Sequence, residues 1–105
     1  MRLYLDDVRN PNRLYGDNYF VWVKTYEEAI ELLKTGQVES ISLDHDLGYT
    51  DPNHTGYDVA CWIEAAVRNS EIPLPEMYCH SWNPVGKDKI LATIQSLENW
   101  KVKQT

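Results

Sequence analysis

Ile41-Ser42-Leu43-Asp44-His45-Asp46-Leu47-Gly48 ends a short apolar run abruptly in carboxylate, imidazole, carboxylate and glycine. Ionised side chains lose much of their hydration on burial unless a partner, a metal or a rim position compensates. Three such residues closing a hydrophobic run therefore mark a site rather than a piece of core. Ser40 to Leu43 reads as a strand too short and too apolar to be half-exposed, hence central in its sheet. The polar stretch from Gly48 to Thr55, with Pro52 and Asn53, leaves it as a loop. A second acidic strand end stands at the start of the chain, where Asp6-Asp7 follows Arg2-Leu3-Tyr4-Leu5.

The remaining elements alternate. Arg9-Asn10-Pro11-Asn12 reads as turn and loop, a poor place to start a helix. Phe20-Val21-Trp22-Val23 is a dense β-branched and aromatic strand. Thr25 with Glu28 forms a capping box ahead of Ala29, Ile30, Leu32 and Leu33, and Gly36 can end that helix. Thr55 and Asp58 bracket a second start, followed at helical spacing by Val59, Ala60, Ile63, Ala66 and Val67 and stopped by Ile72-Pro73-Leu74-Pro75. Glu76 to Cys79 is a fourth strand; Asn83 then caps a last helix with Pro84 at its first position and Ile90, Ile94 and Leu97 on its apolar side. Strands alternating with helices predict an α/β fold, an open parallel sheet of about four strands with helices on both faces. Every strand's carboxyl end then lies at one edge, where such sheets bind ligands. Asp6-Asp7, Asp44-His45-Asp46 and His80-Ser81 should meet there.

With 105 residues the chain is expected to be a single domain, residues 1–105, burying ~65% of its unfolded surface. The net charge of −6 argues against a generic nucleic-acid groove, generic DNA binding included, which rests on neutralising phosphates with Lys and Arg, but leaves a small anion held by a metal or a local nest open. Cys61 and Cys79 sit in apolar segments without metal-ligand spacing and read as buried reduced thiols. No run approaches the ~18 apolar residues of a membrane span, so a cytoplasmic location is expected.

An acidic pair after the first strand, an Asp ending the third and a small hydroxyl residue after the fourth form the receiver-domain pattern, met here by Asp6, Asp7, Asp44 and Ser81. Leu5 to Pro11 (LDDVRNP), Asp44 to Gly48 (DHDLG), Thr55 to Ala60 (TGYDVA) and His80 to Gly86 (HSWNPVG) further resemble the cyclic-phosphate-processing receiver-like family. The similarity runs from Leu3 to about Leu91. It implies a compact receiver-like, flavodoxin-like fold in which phospho-signalling is replaced by action on cyclic phosphates of RNA ends or nucleotides. Only one helix follows the fourth strand, so the receiver strand carrying the conserved lysine is reduced or absent, and Lys101 and Lys103 lie too near the end of the sequence to replace it.

Asp6, Asp7 and Asp44 offer hard oxygen ligands suited to Mg²⁺ or Mn²⁺. Asp7 could instead cap a turn with Arg9 as surface partner. Opening a cyclic phosphate needs a base for water and an acid for the departing oxygen, tasks that His45 and His80 could divide. Either ring could equally pack on Trp82 or support the site from behind. Asp46 could orient an imidazole, and Ser81 could donate to phosphate or, with no triad visible in the sequence, act as nucleophile. Asn83, Gly86 and Lys87 at the last helix's start offer a phosphate cradle, Arg9 a clamp and Trp82 a stacking face for a base. His54 reads as surface. The leading expectation is a hydrolase, a metal-assisted phosphodiesterase acting on a small cyclic nucleotide or an RNA terminal cyclic phosphate. The alternatives are a receiver-shaped module that binds a nucleotide or partner protein without chemistry, and retained phosphorylation at Asp44.

Overall fold

A computed structural model of the chain describes residues 1–16, 18–48 and 50–104. Four strands, β1 (Arg2–Leu5), β2 (Val21–Val23), β3 (Ser40–Leu43) and β4 (Glu76–Cys79), form one sheet in the order β2-β1-β3-β4. All three pairings are parallel. Helices α1 (Asn12–Tyr15), α2 (Tyr26–Leu33), α3 (Gly56–Arg68) and α4 (Pro84–Gln104) connect and follow them. This is the receiver-like α/β architecture; β3 is central, as its apolar run predicts, and β1 lies beside it. Strand β2 begins at Val21, one residue later than the aromatic run suggests.

The helix starts form as their side chains dictate. Thr25 accepts the Glu28 N–H at 3.1 Å, and Thr55 accepts the Asp58 N–H while the Asp58 carboxylate accepts the Thr55 N–H at 2.8 Å. Asn83 Oδ1 accepts the Gly86 N–H at 3.0 Å to open α4. That helix runs to Gln104, so no fifth strand follows β4 among the described residues. No helix is long and apolar enough to cross a membrane among those residues.

The two faces of the sheet differ sharply. Leu3, Leu5, Ile41 and Leu43 are fully buried against Ala29, Leu33, Val59, Ile63, Ile90 and Leu97, so α2, α3 and α4 form a single layer on one face. The opposite face carries Arg2 and Tyr4 from β1, Ser40 and Ser42 from β3, and Glu76 and Tyr78 from β4. Helices on both faces are thus realised on that side only by α1, a single turn held by Asn12, whose amide bonds both the N–H and the C=O of Phe20. The Arg9–Asn12 stretch does start a helix, though a four-residue one. β3 also departs from expectation: Ser40 and Ser42 are half-exposed, because the Ser-Ile-Ser-Leu alternation gives the strand one apolar and one polar face.

Candidate active site

The strand ladder continues one residue beyond each strand. Asp6 N–H donates to Val23 O (3.1 Å), Asp44 N–H to Leu5 O (3.0 Å) and His80 N–H to Leu43 O (3.0 Å). Asp6, Asp44 and His80 therefore stand in one row across the carboxyl edge, in phase with the side chains of the helix-free face. One ligand atom from each lies within 4.8 Å of the others.

Asp6 is the hub of this row and is 0% exposed. Its Oδ1 accepts the Val8 and Arg9 N–H groups at 2.9 and 2.8 Å, which folds the chain leaving β1 into a tight turn. Its Oδ2 faces Arg9 Nε at 3.3 Å and His80 Nε2 at 3.1 Å, while its carbonyl accepts the Trp22 indole N–H at 2.8 Å. The turn-capping role considered for Asp7 thus belongs to Asp6. Asp7 is half-buried and makes no hydrogen bond or ion pair among the described residues, yet lies close enough for its charge to bear on Asp44.

Asp44 is 6% exposed, and its Oδ1 accepts the His45 N–H at 2.9 Å. Burial, then the Asp6 and Asp7 charges, push its carboxyl up to about 6; the His45 N–H and the Arg9 guanidinium pull against them. His80 is held on three sides. Its Nδ1 lies 2.7 Å from Ser42 Oγ, its Nε2 faces Asp6, and Tyr4 stacks on the ring with centroids 4.1 Å apart. Burial lowers its pKa against the pull of Asp6, which favours the neutral imidazole. A carboxylate only accepts, so Nε2 carries the proton and Nδ1 accepts from Ser42. Ser42 and Tyr4 escaped the sequence reading, although both are in phase with Asp44 and Asp6 at a strand's two-residue period.

His45 has the opposite phase. Its ring packs where a side chain on Gly86 would otherwise sit, and its Nδ1 bonds Asp46 Oδ1 at 2.9 Å. Asp46 does orient this imidazole, and also accepts from the Asn83 amide at 3.3 Å. The two imidazoles expected to share one cleft thus look to opposite sides of the sheet edge, because adjacent residues of an extended chain alternate faces. Gly86 is needed for the approach of His45 rather than of a phosphate, and its N–H is already taken by Asn83. Ser81 is buried, and its hydroxyl accepts the Asn83 N–H at 3.1 Å; it shapes the turn, and His80 is what stands beside the carboxylates. Lys87 is exposed on the first turn of α4. Trp82 is 83% exposed, with the Arg9 guanidinium 5.9 Å from its ring centre. His54 is not simply surface: it stacks on Tyr26 at 4.3 Å and bonds the buried Asp51, which also caps α2 by accepting the Tyr26 N–H. Gly56, also unforeseen, has no room for a side chain because the Asp44 carbonyl fills that space. Its N–H donates to His45 O at 2.9 Å, seating α3 directly under the acidic strand end. Cys61 and Cys79 are free thiols but only half-buried rather than buried as expected, and partial burial pushes the Cys79 thiol up.

The motifs that build this edge, from Asp6 to Gly86, fall within residues 1–96, which the model of the cyclic-phosphate processing receiver domain matches. The chain belongs to that family. No match is found among curated proteins or among solved structures. In this cyclic-phosphate processing receiver domain two buried carboxylates and a neutral imidazole surround one point, with Asp7 and Arg9 at its margin. Asp6 and Asp44 are the residues that could hold a divalent cation there, since carboxylate oxygens suit Mg²⁺ or Mn²⁺.

Proposed function

We propose that this receiver domain is a metal-assisted phosphoesterase that opens a cyclic phosphate of a nucleotide or RNA end. The observation that carries the reading is the row Asp6, Asp44 and His80, which puts two carboxylates and a neutral base around one point. A cation held by Asp6 and Asp44, with Asp7 beside them, would neutralise charge on a phosphate oxygen. Arg9, whose Nε pairs with Asp6 while its guanidinium lies against the Trp82 ring, would bind a second phosphate oxygen. Were Asp6 to turn from His80, the Nε2 proton could be exchanged for one on Nδ1, which would then donate to Ser42, and the freed Nε2 would take the proton of the attacking water. The Ser42 hydroxyl can donate or accept, so it holds the ring in either tautomer as the proton moves. A new bond forms from water oxygen to phosphorus, a ring P–O bond breaks, and the proton on His80 passes to the departing oxygen. His45 supports the start of α4, with Asp46 and Asn83 around it.

Incubation with 2′,3′-cyclic and 3′,5′-cyclic nucleotides in Mg²⁺ or Mn²⁺ tests this directly. Ring-opened monoester should appear, and His80→Ala should abolish it. No turnover on any of them, or full turnover by His80→Ala, rejects the mechanism. A second reading, binding without chemistry, draws on the complete engagement of Asp6 by Arg9, His80 and two backbone N–H groups. Thermal stabilisation by a cyclic nucleotide with no product would favour it.

A further inference from the structure

The helix-free face of the sheet is a groove of about 950 Å³ that runs from His80 down past Ser42, Tyr78 and Arg2. Its volume lies at the upper end of the ~300–1,000 Å³ that small-molecule pockets span, which leaves room for more than one nucleotide. Its chemistry is unlike the rest of the molecule. The chain carries a net charge of −6, yet three of its four arginines, Arg2, Arg9 and Arg13, line this groove, whereas none of its six lysines does. Among the described lining residues Glu76 is the sole carboxylate. Neither Arg2 nor Arg13 forms an ion pair among the described residues. The bias toward arginine matters, because a planar guanidinium both forks onto phosphate and stacks on rings.

Among the described residues Tyr4, Tyr15, Tyr19 and Tyr78 line the same groove, and Tyr15, Tyr19 and Tyr78 are 60%, 43% and 54% exposed. The Arg2 guanidinium sits 4.7 Å from the Tyr19 ring centre and Tyr15 stacks on the same ring at 5.3 Å, so a base would join or displace an existing cation and ring cluster there. Exposed aromatic rings interleaved with arginines, of which Arg2 and Arg13 form no ion pair among the described residues, complement a single strand, whose bases offer stacking faces and whose backbone offers one charge per residue.

We propose that this face is a track for single-stranded RNA, whose backbone Arg2 and Arg13 hold and whose bases Tyr19 and Tyr78 stack, leading its end to Asp6, Asp44 and His80. The natural substrate is then an oligonucleotide end rather than a free mononucleotide. This rests on the phosphoesterase reading only for what happens at the edge; the track stands on its own geometry.

The test is fluorescence anisotropy at low salt, without metal, using an end-labelled oligouridylate of about eight nucleotides with a plain 3′-hydroxyl. Binding is expected, with Tyr19→Ala and Tyr78→Ala each weakening it ~5- to 100-fold. Arg2→Ala and Arg13→Ala should each flatten the dependence of log affinity on log salt by ~0.7. Lys101→Ala, on α4 outside this groove, should change nothing. Thermal melts accompany each variant, and the exposed arginine variants carry the test if a tyrosine variant fails to fold. Failure to bind the oligomer, binding indifferent to these four residues, equal affinity for an RNA duplex, or competition by uridine monophosphate as strong as by the oligomer overturns the track. The two proposals fail separately: hydrolysis of cyclic mononucleotides that tolerates all four substitutions, without oligomer binding, rejects the track alone. Oligomer binding without hydrolysis rejects the phosphoesterase alone.

Discussion

Asp44→Asn should stabilise the metal-free protein while removing its proposed activity. The wild-type carboxyl is pushed from 3.8 to about 6 on folding. At ~1.36 kcal/mol per tenfold change in proton affinity, its ionised form costs the native state about 3 kcal/mol, or ~2 if the carboxylate relaxes toward water. The sign follows from the folded state holding the proton more tightly than the unfolded one. Below pH ~4 the carboxyl is protonated in the folded protein and the cost is absent. It grows as pH rises from about 4 to 6 and is complete above pH ~7. The asparagine is isosteric and its Oδ1 keeps the His45 N–H bond, so little else changes. Urea unfolding of both proteins in chelator at pH 4 and pH 8 is the assay. The variant should gain ~2–3 kcal/mol at pH 8, on the order of 10 °C in Tm, and almost nothing at pH 4. A gap that is the same at both pH values, or a variant less stable at pH 8, would refute the account of Asp44 as a destabilised, site-building carboxylate.

Mn²⁺ should raise the Tm of the wild type, by the equivalent of ~2.7 kcal/mol at a hundred times its Kd, and leave Asp44→Asn unmoved. Equal shifts in both would place the cation elsewhere. Ser42→Ala should cost ~1 kcal/mol of stability and lower kcat ~10- to 100-fold with KM little changed, because it frees the His80 ring without touching the phosphate; Ser42→Thr should recover most of the rate. A loss confined to KM would deny Ser42 its part in holding His80. Gly86→Ala should destabilise by ~1–3 kcal/mol through overlap with the His45 ring, and the Gly86→Ala/His45→Ala double variant should recover much of that in chemical denaturation. Additive losses would mean that the strain lies elsewhere.

Strand and helix positions were legible along the chain because their signals are local. The bounds of β1, β3 and β4 follow from Arg2–Leu5, Ser40–Leu43 and Glu76–Cys79 as read, and Thr25, Thr55 and Asn83 cap the helices they precede. Alternation of strands with helices also brings Asp6, Asp44 and His80 to one edge, since a parallel sheet leaves all its carboxyl ends together. What alternation along the chain leaves open is which way each side chain turns within that edge. His45 and His80 look equivalent in sequence, yet one packs over Gly86 behind the sheet and the other is gripped by Ser42, Tyr4 and Asp6 in front. Whether Asp6 or Asp7 closes the turn, and whether Ser81 or His80 meets the carboxylates, was likewise settled by the tertiary structure.

Composition determined that the protein as a whole is acidic and made a nucleic-acid surface look remote. Only the folded chain sorts those charges, because net charge is a sum whereas a ligand meets a local field. Arg2, Arg9 and Arg13 gather with Tyr15, Tyr19 and Tyr78 on a face that α1 is too short to cover, an arrangement made by residues up to 76 positions apart in the sequence. The identity of the residues at the site was written in short motifs; their division of labour depends on side-chain phase across a three-strand register, and that exists only once the strands have paired.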